Sequence, residues 1–188
     1  MDVHQSQKRI LRIVLGINGS FFLIEMITGL LSGSMGLVAD SLDMLADAFV
    51  YGISLYAVGG TLVRKKKISN MAGYFQLLLA LAGFGEVLRR FLLVETIPDF
   101  TTMIVVSFFA LIANVICLIL LHQSKGKDEM HMRASMIFTS NDVIINGSVI
   151  LAGVLVAWLQ SNIPDLIIGT LVFLLVIRGA VKILKLGK

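Results

Sequence analysis

Three aspartates, Asp40, Asp43 and Asp47, recur in the stretch ADSLDMLAD at spacings of three and four residues. On a helix, positions i, i+3 and i+7 share one stripe, so the three carboxylates project from the same side. No Lys or Arg lies between residues 35 and 62 to neutralise them. Like charges so arranged persist if they are partly protonated, reach water or hold a cation. Asp43 and Asp47 are one turn apart, the separation at which two carboxylates can ligate one ion. A hydrated polar face in a vestibule or at a helix interface would use the same spacing, which alone does not separate the two readings. A fourth carboxylate, Asp142, stands in FTSNDVIING beside Asn141 and one turn before Asn146. It either faces the same interior or serves as an uncharged hydrogen-bonding group.

The elements that must position these groups are apolar helices. Of the 188 residues, 57% are hydrophobic and 15% charged, against roughly 25% charged in an average soluble domain. Six apolar segments cover about 10 to 32, 35 to 62, 69 to 94, 101 to 122, 134 to 159 and 165 to 186, each long enough for the roughly 20 residues that cross a bilayer as a helix. They lack the alternation of a barrel strand, and a spanning helix satisfies its own backbone hydrogen bonds. The expected fold is all-α: a polytopic, multi-pass protein of the inner or plasma membrane, with residues 1–188 forming one transmembrane domain in contact with the lipid bilayer. No soluble domain fits between the segments, and no internal repeat is evident.

Charge distribution sets the orientation. The connections SGSMG, ETIPDF and QSNIPD contain no Lys or Arg, and Pro98 stops a helix in the second of them. The other loops and both ends carry Lys8, Arg9, Arg12, Arg64, Lys65, Lys66, Lys67, Lys125, Lys127, Arg133, Lys182, Lys185 and Lys188. Positive charge marks the cytoplasmic side, so both termini are expected there and the number of spans is even. Arg89 and Arg90 run against this rule, whereas Arg178 can snorkel. The net charge of +4 is explained by lipid orientation, and no nucleic-acid partner is expected. MDVHQSQKRILR before an apolar run superficially resembles a signal peptide. The run is too long, holds Asn18 and Glu25, and is followed by no A-x-A-like site, so it reads as a retained helix.

Six acidic residues thus fall inside helices: Glu25, Asp40, Asp43, Asp47, Glu86 and Asp142. A central Asp opposes insertion by roughly 2.5 to 3.5 kcal/mol, so some function or partner must offset it. Asn18, Glu25 and Glu86 fit structural hydrogen bonds between helices at least as well as an ion path, and Glu86 can pair with Arg89 or Arg90. His4, His122 and His131 fall at the tail or the membrane edge, where a solvated surface is the default. Gly29 and Gly33 form a small-x-x-x-small pair that lets helices approach closely. Trp158 suits an interfacial anchor. The single cysteine, Cys117, excludes a disulfide framework and argues against a thiolate metal cluster.

The stretch SGSMGLVADSLDMLAD resembles the end of the first and start of the second helix of cation diffusion facilitator transporters, where a small-residue turn precedes an [H/D]-x-x-x-D metal pair. Similarity continues through Asn18 and Glu25, Gly85 and Glu86, Asn114, Met132 to Asp142, and PDLIIG from Pro164 to Gly169. It covers essentially the whole chain and implies a cation-efflux-like transmembrane domain with Asp43, Asp47 and Asp142 as metal ligands. Many members carry H-x-x-x-D in the fifth helix, where this sequence has Phe138. Asn141, Asp40 or a water then becomes the candidate fourth or outer group, although Asn141 lies about 100° round the helix from Asp142. The chain looks most like the short six-helix branch without the cytoplasmic C-terminal domain, and a homodimer is expected.

The resemblance implies export of a divalent ion from the cytoplasm, zinc being the commonest substrate. Three carboxylates without imidazole or thiolate favour Mn²⁺, Fe²⁺, Co²⁺ or Zn²⁺ over Cu(I), and Cd²⁺ is included among the similar ions that the resemblance implies. Protons competing for the same carboxylates would make the process an antiport. No resident cofactor is expected, the metal being substrate. Nor is an enzyme expected, because no nucleophile-and-base constellation or H-E-x-x-H signature is present. Rival readings are a proton-coupled exporter of organic cations, poorly served by one Trp and three Tyr, and a non-transporting scaffold or sensor subunit. Expression in a metal-sensitive host separates them: protection against particular metals, lost with Asp47→Ala, is expected under the metal reading alone.

Overall fold

The computed structural model describes residues 3–57, 62–93, 96–124 and 130–186. Lys125, Lys127 and Lys188, together with the side chains of His4, Arg64, Lys65, Lys66, Lys67, His131 and Arg133, lie outside the described residues. Six helices account for nearly all of the rest: α1 (Val3–Ser32), α2 (Met35–Ala57), α3 (Leu62–Leu92), α4 (Phe100–His122), α5 (Met130–Leu159) and α6 (Ile163–Leu186). Among the described residues there is no strand.

The helix that carries three aspartates is the central one. α2 touches all five others, whereas α3, among the described residues, packs on α2 and α6 alone. From Ser34 to Leu42 every residue of the chain is buried, as a helix surrounded on all sides must be. The outer surface is inverted relative to a water-soluble protein. Leu23, Ile27 and Leu30 of α1, Phe108 and Phe109 of α4, and Ile144 and Leu151 of α5 are exposed, while Asn18, Glu25, Asp40, Asp47, Asn114, Asp142 and Asn146 are buried. An apolar shell around a polar interior suits hydrocarbon as the surrounding medium. Trp158 stands exposed at the end of α5, as an interfacial anchor would. Among the described residues, four helices (α1, α4, α5 and α6) are long and apolar enough to cross a membrane. α2 misses that mark because every 18-residue stretch of it contains Asp40, Asp43 and Asp47.

Several helices begin earlier than the apolar pattern indicates. α1 starts at Val3 rather than 10, α3 at Leu62 rather than 69, α5 at Met130 rather than 134 and α6 at Ile163 rather than 165. The run Arg64 to Lys67, expected in a loop, is therefore helical. Hydrophobicity marks where a helix lies in apolar surroundings, but Lys, Arg and Gln are themselves good helix formers and carry the coil onward into water. Pro164 sits in the first turn of α6, where the N–H it lacks would have had no partner. The turn expected across QSNIPD is accordingly confined to residues 160–162.

The α1–α2 connection is as short as the small residues predict. Gly33 adopts a φ of +74°, the left-handed conformation that ends α1 without a side-chain penalty. Ser34 then caps α2, its Oγ accepting from the Leu37 N–H at 3.1 Å. Of the expected small-x-x-x-small pair, Gly29 packs as foreseen: a Cβ there would lie 3.0 Å from the Val38 nitrogen and the Leu37 Cβ. Gly33 instead belongs to the turn. After the break at Pro98, Asp99 caps α4, accepting from the Thr101 N–H at 3.0 Å and the Thr102 hydroxyl at 2.5 Å. The bond from the Thr102 hydroxyl, with those from the backbone, holds this exposed carboxyl below its usual range. At the opposite end of the bundle Leu11, Val14, Tyr51, Cys117 and Leu121 form a small core from α1, α2 and α4.

Gly29→Val should force α1 from α2 at a cost of about 1–3 kcal/mol. A lower thermal unfolding midpoint in detergent is expected, with Gly16→Ala, which meets nothing within 4 Å, leaving it unchanged or slightly raised, as alanine favours the helix.

Candidate functional site

Carboxylates from α1, α2 and α5 meet in the bundle interior. Asp47 and Asp142 lie near each other in this interior, and two acids so placed favour a proton or a cation between them. Both oxygens of Asp142 otherwise lack a partner, and the charges of Asp43 and Asp40 also act on it. Asp43 is half-buried, while Asp40 and Asp47 are buried. The i, i+3, i+7 stripe therefore turns inward as a unit.

Asp40 lies on the outer-turn side of this group, nearer to Ser34. Asn146 of α5 donates to its Oδ2 at 2.5 Å, and Asn114 of α4 donates in turn to the Asn146 Oδ1 at 3.1 Å. The remaining oxygen of Asp40 is buried without a partner. Glu25, for which structural hydrogen bonds are at least as good an explanation on sequence grounds, is fully buried with neither oxygen bonded. The charges of Asp40 and Asp43 act on it, so Glu25 joins the acidic group. Asn18, on the same face of α1, donates to the Val14 carbonyl of its own helix at 3.0 Å.

Two hydroxyls complete the arrangement. The Tyr51 hydroxyl donates to the Asp47 Oδ2 at 3.1 Å and lies 2.6 Å from the Thr139 Oγ1. Since the tyrosine has one proton, Thr139 donates to the phenolic oxygen. Sequence reasoning passed over both residues, although Tyr51 follows Asp47 by one turn and Thr139 precedes Asp142 by three residues, which places each on the acidic face.

The candidates for a fourth group divide clearly. Asn141 is exposed, whereas its neighbour Asp142 is buried. A residue next to Asp142 on a helix lies about 100° round the axis and cannot share its direction. Asp40 remains inside. Phe138, at the position where a histidine is common, is turned to α6, with the Lys182 Nζ 5.6 Å from its ring centre. The buried Thr139 takes the inward face instead. Glu86 also lies apart: it pairs with Arg89 at 2.8 Å and Arg90 at 3.0 Å on the surface, outside the acidic interior. His122 is exposed at the end of α4.

Chemically, the interior is rich in acceptors and poor in donors. Among the described residues, no Lys, Arg or His belongs to the buried polar set. The unbonded buried oxygens include both of Glu25, both of Asp142, the Asp40 Oδ1 and the Asn114 Oδ1. Such a set calls for protons or a metal cation. As the side chains lie, no group of three or more His, Cys, Asp or Glu side chains among the described residues is arranged to hold a metal ion. Tyr51→Phe removes the hydroxyl that orients Asp47. Zn²⁺ offered as a probe, should it bind at Asp47, is expected to bind about 10–100-fold more weakly in this variant, read as Kd by titration calorimetry, and an unaltered Kd would deny the hydroxyl that role.

The cation efflux transmembrane domain family matches residues 11–187. The zinc transporter ZitB of Escherichia coli (strain K12) is 30% identical over 183 residues, covering 90% of this chain and 58% of that protein. The cadmium, cobalt and zinc/H(+)-K(+) antiporter of Bacillus subtilis (strain 168) is 25% identical over 194 residues, covering 96% and 62%. The metal cation efflux system protein CzcD of Cupriavidus metallidurans is 24% identical over 177 residues, covering 85% and 55%. The chain thus spans less than two thirds of the length of these relatives. With six helices, an apolar outer surface, a buried stripe of aspartates on the central helix and a family match along nearly its whole length, this integral, multi-pass membrane protein belongs to the cation diffusion facilitator, or cation efflux, family.

Proposed function

We propose that this chain exports divalent metal ions, zinc first among them, from the cytoplasm across the inner or plasma membrane in exchange for protons. Asp43, Asp47 and Asp142 are the proposed ligands, with Asp40 as a fourth or outer group. The observation that carries this reading is the buried acidic interior without a buried basic partner among the described residues, centred on the neighbouring carboxyl groups of Asp47 and Asp142. The names of the relatives, which speak of zinc transport and of cadmium, cobalt and zinc antiport, support the same class of substrate.

An ion binds by drawing Asp43 toward Asp47 and Asp142. Oxygen donors in place of the usual imidazole widen the range toward harder ions such as Mn²⁺. Carboxylates released by the departing ion take up protons, because two bare negative charges at this separation repel strongly in surroundings of low dielectric. The exchange also answers an energetic need. Moving charge against a membrane potential costs about 2.3 kcal/mol per elementary charge per 100 mV, so export of a divalent ion requires a coupled downhill flow.

Inverted membrane vesicles loaded to an acidic lumen test the proposal. Accumulation of Zn²⁺ that depends on the pH gradient is expected, falling by at least about tenfold in Asp47→Ala through loss of affinity. Accumulation that ignores the gradient would overturn the antiport, and undiminished transport by Asp47→Ala would overturn the ligand assignment.

A further inference from the structure

The turn that opens α2 is held by a carboxylate from another helix. Asp165, in the first turn of α6, is buried. Its Oδ1 accepts from the Ser34 hydroxyl at 2.6 Å and the Gly36 N–H at 3.0 Å, and its Oδ2 accepts from the Met35 N–H at 2.7 Å. These backbone donors are among those a helix leaves without partners in its first turn, and a negative charge there also meets the favourable end of the helix dipole. The contact is sterically specified. A Cβ on Gly36 would stand 2.9 Å from the Asp165 Oδ1, and one on Gly169 would stand 3.0 to 3.2 Å from Met35. Glycines at both positions therefore let α6 and its carboxylate reach the α2 backbone.

We propose that Asp165 is a positioning residue for the ion-binding helix: it fixes the level and rotation of α2, and hence of Asp43 and Asp47, relative to Asp142. The inference rests on the reading of those aspartates as ligands. α6 follows α5 after a turn of three residues and packs against it. One end of the tie is therefore anchored to the hairpin that carries Asp142, and the other to the first turn of the helix that carries its partners. Asp43 and Asp47 lie 8 and 12 residues beyond Met35, about 12 and 18 Å along the axis. Rotating α2 by about 20° would displace a group some 5 Å from its axis by roughly 2 Å. Ligand geometry tolerates about 0.5 Å, so a loosened first turn removes the site without touching a ligand.

The test compares wild type, Asp165→Asn and Ser34→Ala, each as the full chain in lipid nanodiscs. The readouts are Zn²⁺ Kd and amide hydrogen exchange followed helix by helix. The asparagine retains an acceptor oxygen but presents an amide to the Met35 N–H or to the Ser34 and Gly36 donors. Its Kd is expected to rise by about tenfold or more, with faster exchange in α2 and unaltered exchange in α4. Ser34→Ala, which keeps both backbone bonds, should raise Kd by about two- to tenfold and keeps the inference testable if the asparagine variant fails to fold. A Kd equal to that of wild type in both variants, or exchange that quickens throughout the bundle, overturns the inference while the ligand reading stands. Failure of the wild type to bind Zn²⁺ overturns the ligand reading, and the inference with it.

Discussion

Carboxyl groups in an interior without buried bases set the terms for the rest of this molecule. In hydrocarbon an isolated charge is costly, and a pair of like charges is worse. Glu25, Asp40, Asp47 and Asp142 are nevertheless buried, with Asp43 half-buried among them. What makes the arrangement tolerable is enclosure by other helices. α2 is the helix with the most acid, and it is also the one that every other helix touches. The outward-facing apolar residues belong largely to its neighbours, so the lipid-facing surface and the acidic interior fall on different helices.

The same constraint explains how polar groups are spent. Asn114 and Asn146 form a donor chain ending on Asp40, and Thr139 and Tyr51 form another ending on Asp47. Each chain satisfies one carboxylate oxygen and leaves others unanswered, so the interior stays receptive to a proton or a metal. A lysine or arginine at either chain's end would have satisfied the acids permanently. Basic and acidic side chains do pair in this protein, but at Glu86 with Arg89 and Arg90, on the outside.

Much of this was legible beforehand. The six helices, the inward stripe of Asp40, Asp43 and Asp47, and the tight turn before α2 follow from hydrophobic runs, helical periodicity and small residues. Helix starts were less legible, because Gln, Lys and Arg extend α1 and α3 without adding to the apolar signal. At the site, the direction of Asn141 could be read from the helical angle, whereas the burial of Glu25 beside Asp40 depends on how α1 is rotated against α2, a tertiary matter. Tyr51 and Thr139 lay at readable spacings but belong to residue types common in apolar helices. Asp165 stood within the quoted PDLIIG, but its role was not legible: its partners are the Ser34 hydroxyl and backbone N–H groups about 130 residues away, and no side-chain pattern announces those backbone donors.

The close approach at Gly29 has an electrostatic corollary. With the α1 backbone pressed against Leu37 and Val38, and the two helices joined through a turn of two residues, α1 and α2 form a stiff hairpin. Glu25 and Asp40 stand on its two arms, so their mutual repulsion cannot be relieved by parting them. The crowding travels with the hairpin, so relief comes from a proton or a cation between the acids rather than from a rearrangement of the fold.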